Sequence, residues 1–207
     1  MIKEKIIHSV WVGPKEAPEE WMQTWKDKHP TWEYIRWDNE KVKNYPFVNK
    51  DKIEDLIERG LYHGASDVIG YEILYNFGGF IAPADSKCLN PIDELMEIKE
   101  DCFTCYENEK KTKKLLSLHF GASKGCKLMK EAILELKLRT KQIKEPWIST
   151  GNLFITKIVK RFSYPIKIYP SHYFIPRHYS GIKYEGIDKI YAEHFWGTTK
   201  NIYKNKT

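Results

Sequence analysis

The run Ile6-Ile7-His8-Ser9-Val10-Trp11-Val12 is largely β-branched and apolar and stops at Gly13-Pro14. It reads as a buried strand, because a short apolar run closed by turn residues suits a sheet interior. From there the chain keeps switching period. Glu19 to Lys28 sets Trp21, Met22 and Trp25 at helical spacing before His29-Pro30. Trp32 to Trp37 is a second strand ending at Asp38-Asn39, and Asp51 to Arg59 is a helix with Ile53, Leu56 and Ile57 on one face, stopped by Gly60. A longer helix is expected from about Ser66, an N-cap residue type, to Gly78-Gly79. Further strands are expected at Phe80-Ile81, Cys102 to Tyr106 and Leu115 to Phe120. A helix runs from Lys124 to about Leu138, another is introduced by Thr150-Gly151, and short strands lie at Ile166 to Tyr169 and Ile190 to His194. Strands alternating with helices predict an α/β layered domain around a mainly parallel sheet. With no repeat, linker or low-complexity stretch, one domain is expected over 1–207, with a basic tail from about 200.

Composition narrows the classes. The chain has 207 residues, enough for a substantial core, and 42% hydrophobic against 30% charged residues is a globular balance. Its apolar runs are too short to span a bilayer, and no secretory leader precedes the first strand, so a cytoplasmic location is expected. The net charge of +6 is interspersed rather than striped. That argues against nucleic acid as partner and suits anionic small ligands, with weak membrane-surface contact still compatible. The pair Cys102-x-x-Cys105 has the spacing of half a zinc site or a redox pair. With no second such pair, it reads as part of a strand.

In open α/β sheets ligands bind beyond the carboxyl ends of strands. The polar residues that fall there are Trp11 with Gly13, Asp38 with Asn39, Asp85 with Ser86, and His194 with Thr198 and Thr199. No GxGxxG, P-loop, GxSxG or HExxH motif is present, which weighs against the common dinucleotide, NTPase, hydrolase and zincin readings. Taken residue by residue, each candidate also has a structural reading. Trp11 is a core ring, Asp85 a turn residue, His194 a packed histidine, and Ser66-Asp67 a helix start.

Four ordered segments together resemble glycosyltransferase family 32. They are Lys5 to Gly13, Trp32 to Asp38, Ala65 to Gly79, and Glu193-His194-Phe195-Trp196-Gly197-Thr198-Thr199. The resemblance implies a single-domain GT-A fold and a metal-dependent, retaining transfer of a hexose from a UDP- or GDP-sugar donor to a glycan or glycolipid acceptor, of the kind used in polysaccharide synthesis. On its terms Val10, Trp11, Asn39, Ser66, Asp67, Gly151, Thr199 and Lys200 would bind the nucleotide-sugar. Asp67 and Asp85 would be catalytic, and Asp85 with His194 would hold Mn²⁺ or Mg²⁺, an oxygen–imidazole set those ions accept.

The pattern is broken twice. The first Asp of the family's Asp-x-Asp motif is Pro83, and an Arg expected three residues after Asp67 is Gly70. The alternative is therefore a protein that binds a nucleotide-sugar or glycan without turnover. The aromatic stretch from His172 to Gly186 is available either as an acceptor platform or as packing for the sheet edge.

Overall fold

In the computed structural model, residues 1–140, 142–197, 199 and 200 are described. Six strands, β1 (Ile6–Val10), β2 (Glu33–Trp37), β3 (Gly79–Ile81), β5 (Cys102–Cys105), β6 (Gly121–Ala122) and β7 (Lys167–Tyr169), form one sheet. Their order across it is β2-β1-β3-β6-β5-β7. β1 pairs in parallel with β2 and β3, and β5 with β7; β6 runs antiparallel to both β3 and β5. The sheet is thus parallel apart from one reversed strand, as the alternating pattern predicts. A small antiparallel pair, β4 (Ser86–Cys88) with β8 (Ala192–His194), stands beside it.

The helices are α1 (Glu19–Lys28), α2 (Asn39–Asn44), α3 (Lys50–Glu58), α4 (Tyr62–Phe77), α5 (Lys127–Lys137), α6 (Pro146–Ser149) and α7 (Asn152–Phe162). One sheet face packs Val10, Ile81 and Cys102 with α3, α4, α5 and α7; the other packs Ile7, Phe80, Phe103 and Cys105 with Trp25 of α1, Phe174 and Tyr191. The period-2 alternation of side chains along each strand produces this division. Among the described residues no helix is long and apolar enough to cross a membrane.

α4 is the central helix, buried along most of its length, and it ends where Gly78 and Gly79 take φ of 70° and 94°. A Cβ at Gly79 would lie 2.3 Å from the Ile6 carbonyl oxygen, so only glycine lets β3 start this close to β1. Two expectations need correction. α4 begins at Tyr62, a turn earlier than Ser66, and Ser66 Oγ donates back to the Tyr62 carbonyl (3.0 Å), so it sits inside the helix and caps nothing. Leu115 to Phe120 is not a regular strand. It follows β5 through irregular contacts, with Ser117 N–H on the Cys105 carbonyl and Leu115 accepting from Glu107 N–H, and only Gly121–Ala122 enters the ladder. The short α2, α6 and β4 had no periodic signal, being too brief to show one.

Candidate functional site

Because β1, β2, β3, β5 and β7 all point the same way, their carboxyl ends share one edge of the sheet. Beyond β1 and β2, a cavity of about 300 Å³ is lined by Trp11, Gly13, Lys15, Arg36, Asp38 and Asn39, among others. Asn39 accepts the Gly13 N–H (2.8 Å) and donates to the Gly13 carbonyl (2.9 Å), which ties the β1 loop to the start of α2. Its amide is committed to shaping the cavity wall. The Trp11 indole N–H donates to the Lys15 carbonyl (2.8 Å), and its backbone N–H to that of Trp37 (3.0 Å). Val10 is buried in the core, so only its backbone is near this edge.

Beyond β3 the chain turns through Pro83 and Ala84 to Asp85. Pairing of Ser86 with His194 in the β4–β8 ribbon brings the far end of the chain alongside. Asp85 Oδ1 lies 3.0 Å from His194 Nε2, and Oδ2 accepts the Gly197 N–H at 2.7 Å. The Asp85 carbonyl accepts from Phe195 N–H (2.8 Å). Burial pushes the Asp85 carboxyl up, but the His194 imidazole and the Gly197 N–H outweigh it and hold the group far below the usual carboxylate range. Trp196 adopts φ of 60°, a left-handed conformation that a bulky residue rarely takes. It is held there between the Asp85–Gly197 bond and its own indole N–H on the Arg177 carbonyl (3.0 Å). Its ring meets His194 edge-on at 4.6 Å.

Asp67 stands in the second turn of α4, not at a helix N-terminus, so no helix dipole favours its charge. Its Oδ2 accepts from Thr150 Oγ1 (2.8 Å), and burial pushes the carboxyl up to about 8. A Cβ on Gly151 would come within 3.1 Å of Asp67 Oδ2 and 3.0 Å of the Trp147 Cα, so a side chain there would crowd the carboxylate and the Thr150-Gly151 strap lies close against it. At position 70, buried in α4, the nearest atoms to an added Cβ are those of Ile81 at 4.0 Å, so a Cβ itself would meet no clash.

Sequence reasoning missed the next part of the wall. Buried Glu107, just past β5, places Oε1 3.2 Å from His178 Nε2 and accepts from Asn152 Nδ2 at 2.6 Å. His178 meets Trp196 edge-on at 5.2 Å. Glu107 obeyed the same strand-end rule as Asp85 but was hidden in the mixed-charge run Glu107-Asn108-Glu109-Lys110. Buried His119 adds its ring edge-on to His194 at 5.4 Å, with Nδ1 on Ser117 Oγ. Thr199 and Lys200 are exposed, the Lys200 N–H bonding the Trp196 carbonyl (2.8 Å); Thr198 lies outside the described residues.

The residues suit a divalent cation. The 3.0 Å between Asp85 Oδ1 and His194 Nε2 matches neighbouring positions of an octahedron with bonds of about 2.1 Å. His194 Nε2 faces the Asp85 carboxylate while the buried Nδ1 has no hydrogen-bond partner, so Nδ1 is free to take the proton that a cation bound at Nε2 would displace.

The mostly parallel sheet carries a carboxylate–imidazole pair beyond β3 and a cavity beyond β1 and β2, and its fold resembles that of GT-A glycosyltransferases. The family model described as "Glycosyltransferase sugar-binding region containing DXD motif" matches residues 16–103, which include Asp67 and Asp85. Two curated relatives are inositol phosphoceramide mannosyltransferases 3 and 2 of Schizosaccharomyces pombe, 34% and 33% identical over 102 and 96 residues. Each match covers 44% of this chain but only 27% and 28% of the relative's length. Among solved structures, PaToxG Glycosyltransferase shares the fold with a TM-score of 0.61 at 14% identity, over 77% of this chain and 69% of that one. Together these similarities show a fold shared with a glycosyltransferase and, over residues 16–103, a likeness to a glycosyltransferase sugar-binding region.

Proposed function

We propose that this chain transfers a hexose from a UDP- or GDP-sugar to a hydroxyl of a glycan or glycolipid, with a divalent cation held by Asp85 and His194. The observation that carries the reading is the contact between Asp85 and His194, which the fold brings from distant parts of the chain to the edge where α/β sheets bind ligands. With Asp85 and Glu107 on this wall, a diphosphate would be repelled unless a cation lay between. Mn²⁺ or Mg²⁺ there would neutralise the leaving diphosphate as a Lewis acid.

The chain's own residues do the rest. Trp11 and the Asn39-braced Gly13 loop form the wall for the nucleobase. Asp67, with its carboxyl at about 8, is mostly neutral at pH 7 and would donate a hydrogen bond to a sugar hydroxyl rather than offer a charge. Gly151 lets the strap approach the sugar closely. Lys200 would reach a phosphate as a point charge. We propose retention, with the departing phosphate assisting the acceptor hydroxyl, a route that asks no protein side chain to act as nucleophile. The relatives' names make a mannosyl donor and an inositol phosphoceramide headgroup the first donor and acceptor to try.

The second reading, binding without turnover, is favoured by Gly70 and Pro83, which leave Asp67 with a hydroxyl partner and no cation. Incubation with Mn²⁺ and a panel of UDP- and GDP-hexoses separates the two. Release of nucleoside diphosphate that disappears in Asp85→Ala supports the transferase; thermal stabilisation by a donor without any release supports the binder.

A further inference from the structure

The cysteine pair with zinc-like spacing does not act as a pair. Along β5, Cys102 faces the core layer of α4 and α5, while Cys105 faces the opposite layer with Phe103 and Phe174. Two residues on opposite faces of one strand cannot hold one ion. Cys102 instead meets Cys126, the N-cap residue of α5, and the two thiol sulfurs lie with an Asp101 carboxylate oxygen within 4.8 Å of one another.

We propose that Asp101, Cys102 and Cys126 form a binding site for a borderline-soft divalent cation of the zinc class. Two thiolates and a carboxylate are a donor set Zn²⁺ takes, and tetrahedral bonds of about 2.3 Å put two sulfurs roughly 3.8 Å apart. The site is prepared by the backbone. Ser123 N–H donates to the Asp101 carbonyl (2.8 Å) and Cys126 N–H to the Ser123 carbonyl (3.1 Å), so one short turn fixes both ligand-bearing segments. Tyr164, just past α7, donates its hydroxyl to Asp101 Oδ2 (2.6 Å), the outer contact that typically orients a ligating carboxylate. Both cysteines are buried and Asp101 is half-buried, which leaves the carboxylate side as the way in and as the place for a fourth ligand, water. Binding exchanges two S–H protons for the ion, so it strengthens as pH rises. The cluster lies at the amino end of β5, whereas Asp85 follows the carboxyl end of the parallel β3, so the two sites occupy opposite ends of the sheet.

The test uses the whole reduced chain. Co²⁺ added alone is expected to give a thiolate-to-cobalt charge-transfer absorption that Zn²⁺ abolishes, and zinc is expected to stay with the protein through desalting in about equimolar amount. Cys102→Ser and Cys126→Ser should each remove the absorption, and Asp101→Asn should weaken binding at least about tenfold. Cys105→Ser and Asp85→Ala should leave it intact, which separates this site from the one beyond β3. Wild-type protein that gives no thiolate absorption overturns the proposal whatever the variants do. So does an absorption that survives Cys126→Ser, or a Cys102–Cys126 disulfide in the protein isolated without reductant.

Discussion

Asp67 and Asp85 are both withdrawn from water, and burial pushes both toward the neutral acid, yet they end on opposite sides of neutrality. Asp85 has an imidazole at 3.0 Å and a backbone N–H at 2.7 Å. Asp67 has one hydroxyl, from Thr150. The difference lies in the partners rather than in the depth of burial. At Asp85 the loop carrying Phe195, Trp196 and Gly197 closes over the carboxylate and supplies a backbone donor, while His194 at the end of β8 supplies an imidazole. At Asp67 the position that could carry a cation, 70, is glycine. One carboxylate is kept ready for a cation, and the other is kept as an acid.

The largest expected effect breaks the comparison at its charged member. Asp85→Ala should lower diphosphate release by about 100-fold or more, read as kcat/KM with each active donor. His194→Ala should cost about 10–100-fold and raise the Mn²⁺ concentration needed for half-maximal rate, because it removes one holder of the ion and leaves the other. Next, Gly70→Arg would make Asp67 resemble Asp85. A Cβ fits at position 70, and a guanidinium reaching Asp67 from there should bring its titration down from about 8 toward the ordinary carboxylate range, visible in carboxyl chemical shifts against pH.

The linkage is smaller but its sign is firm. Asp67 has its folded value raised to about 8, against an ordinary 3.8, so between about pH 4 and 8 the folded state holds a proton that the unfolded state has released. Its contribution is therefore fully present below about pH 4 and is lost as pH rises to about 8. Asp67→Asn should flatten that fall in denaturant-melting curves. His8, lowered to about 4 by burial, acts in the opposite direction from about pH 6.5 to 4 and is left unchanged by that substitution. The smallest effect is at the strap. Gly151→Ala crowds Asp67 and Trp147 and should cost about 1–3 kcal/mol of stability.

Much of the fold was legible because its longer elements announce their period. α1, α3, α7 and the strands β1, β2 and β7 lie within a few residues of where spacing puts them. The start of α4 was not. Ser66-Asp67 imitates a helix start, while the actual first turn, Tyr62-His63-Gly64, has no capping residue. Asp85 and His194 were legible as strand-end polar residues, but their approach depends on the β4–β8 ribbon, each strand only three residues long. Glu107 was hidden for a different reason: a buried carboxylate and a surface charge run are written with the same letters, whereas its partner His178 lay inside the aromatic stretch from His172 to Gly186. The cysteines teach the same lesson in reverse, since spacing suggested Cys102 with Cys105 and the sheet's alternation instead turned Cys102 toward Cys126.

If Asp85 and His194 hold a cation against a nucleoside diphosphate, the ion and the diphosphate must bind cooperatively. Calorimetric titration of UDP and of GDP, with and without Mn²⁺, into wild-type protein and Asp85→Ala tests it most directly. Mn²⁺ is expected to strengthen wild-type binding of at least one of the two by about tenfold or more, and Asp85→Ala to erase the gain. Diphosphate binding that is indifferent to Mn²⁺, or a Mn²⁺ gain that persists in Asp85→Ala, would contradict it.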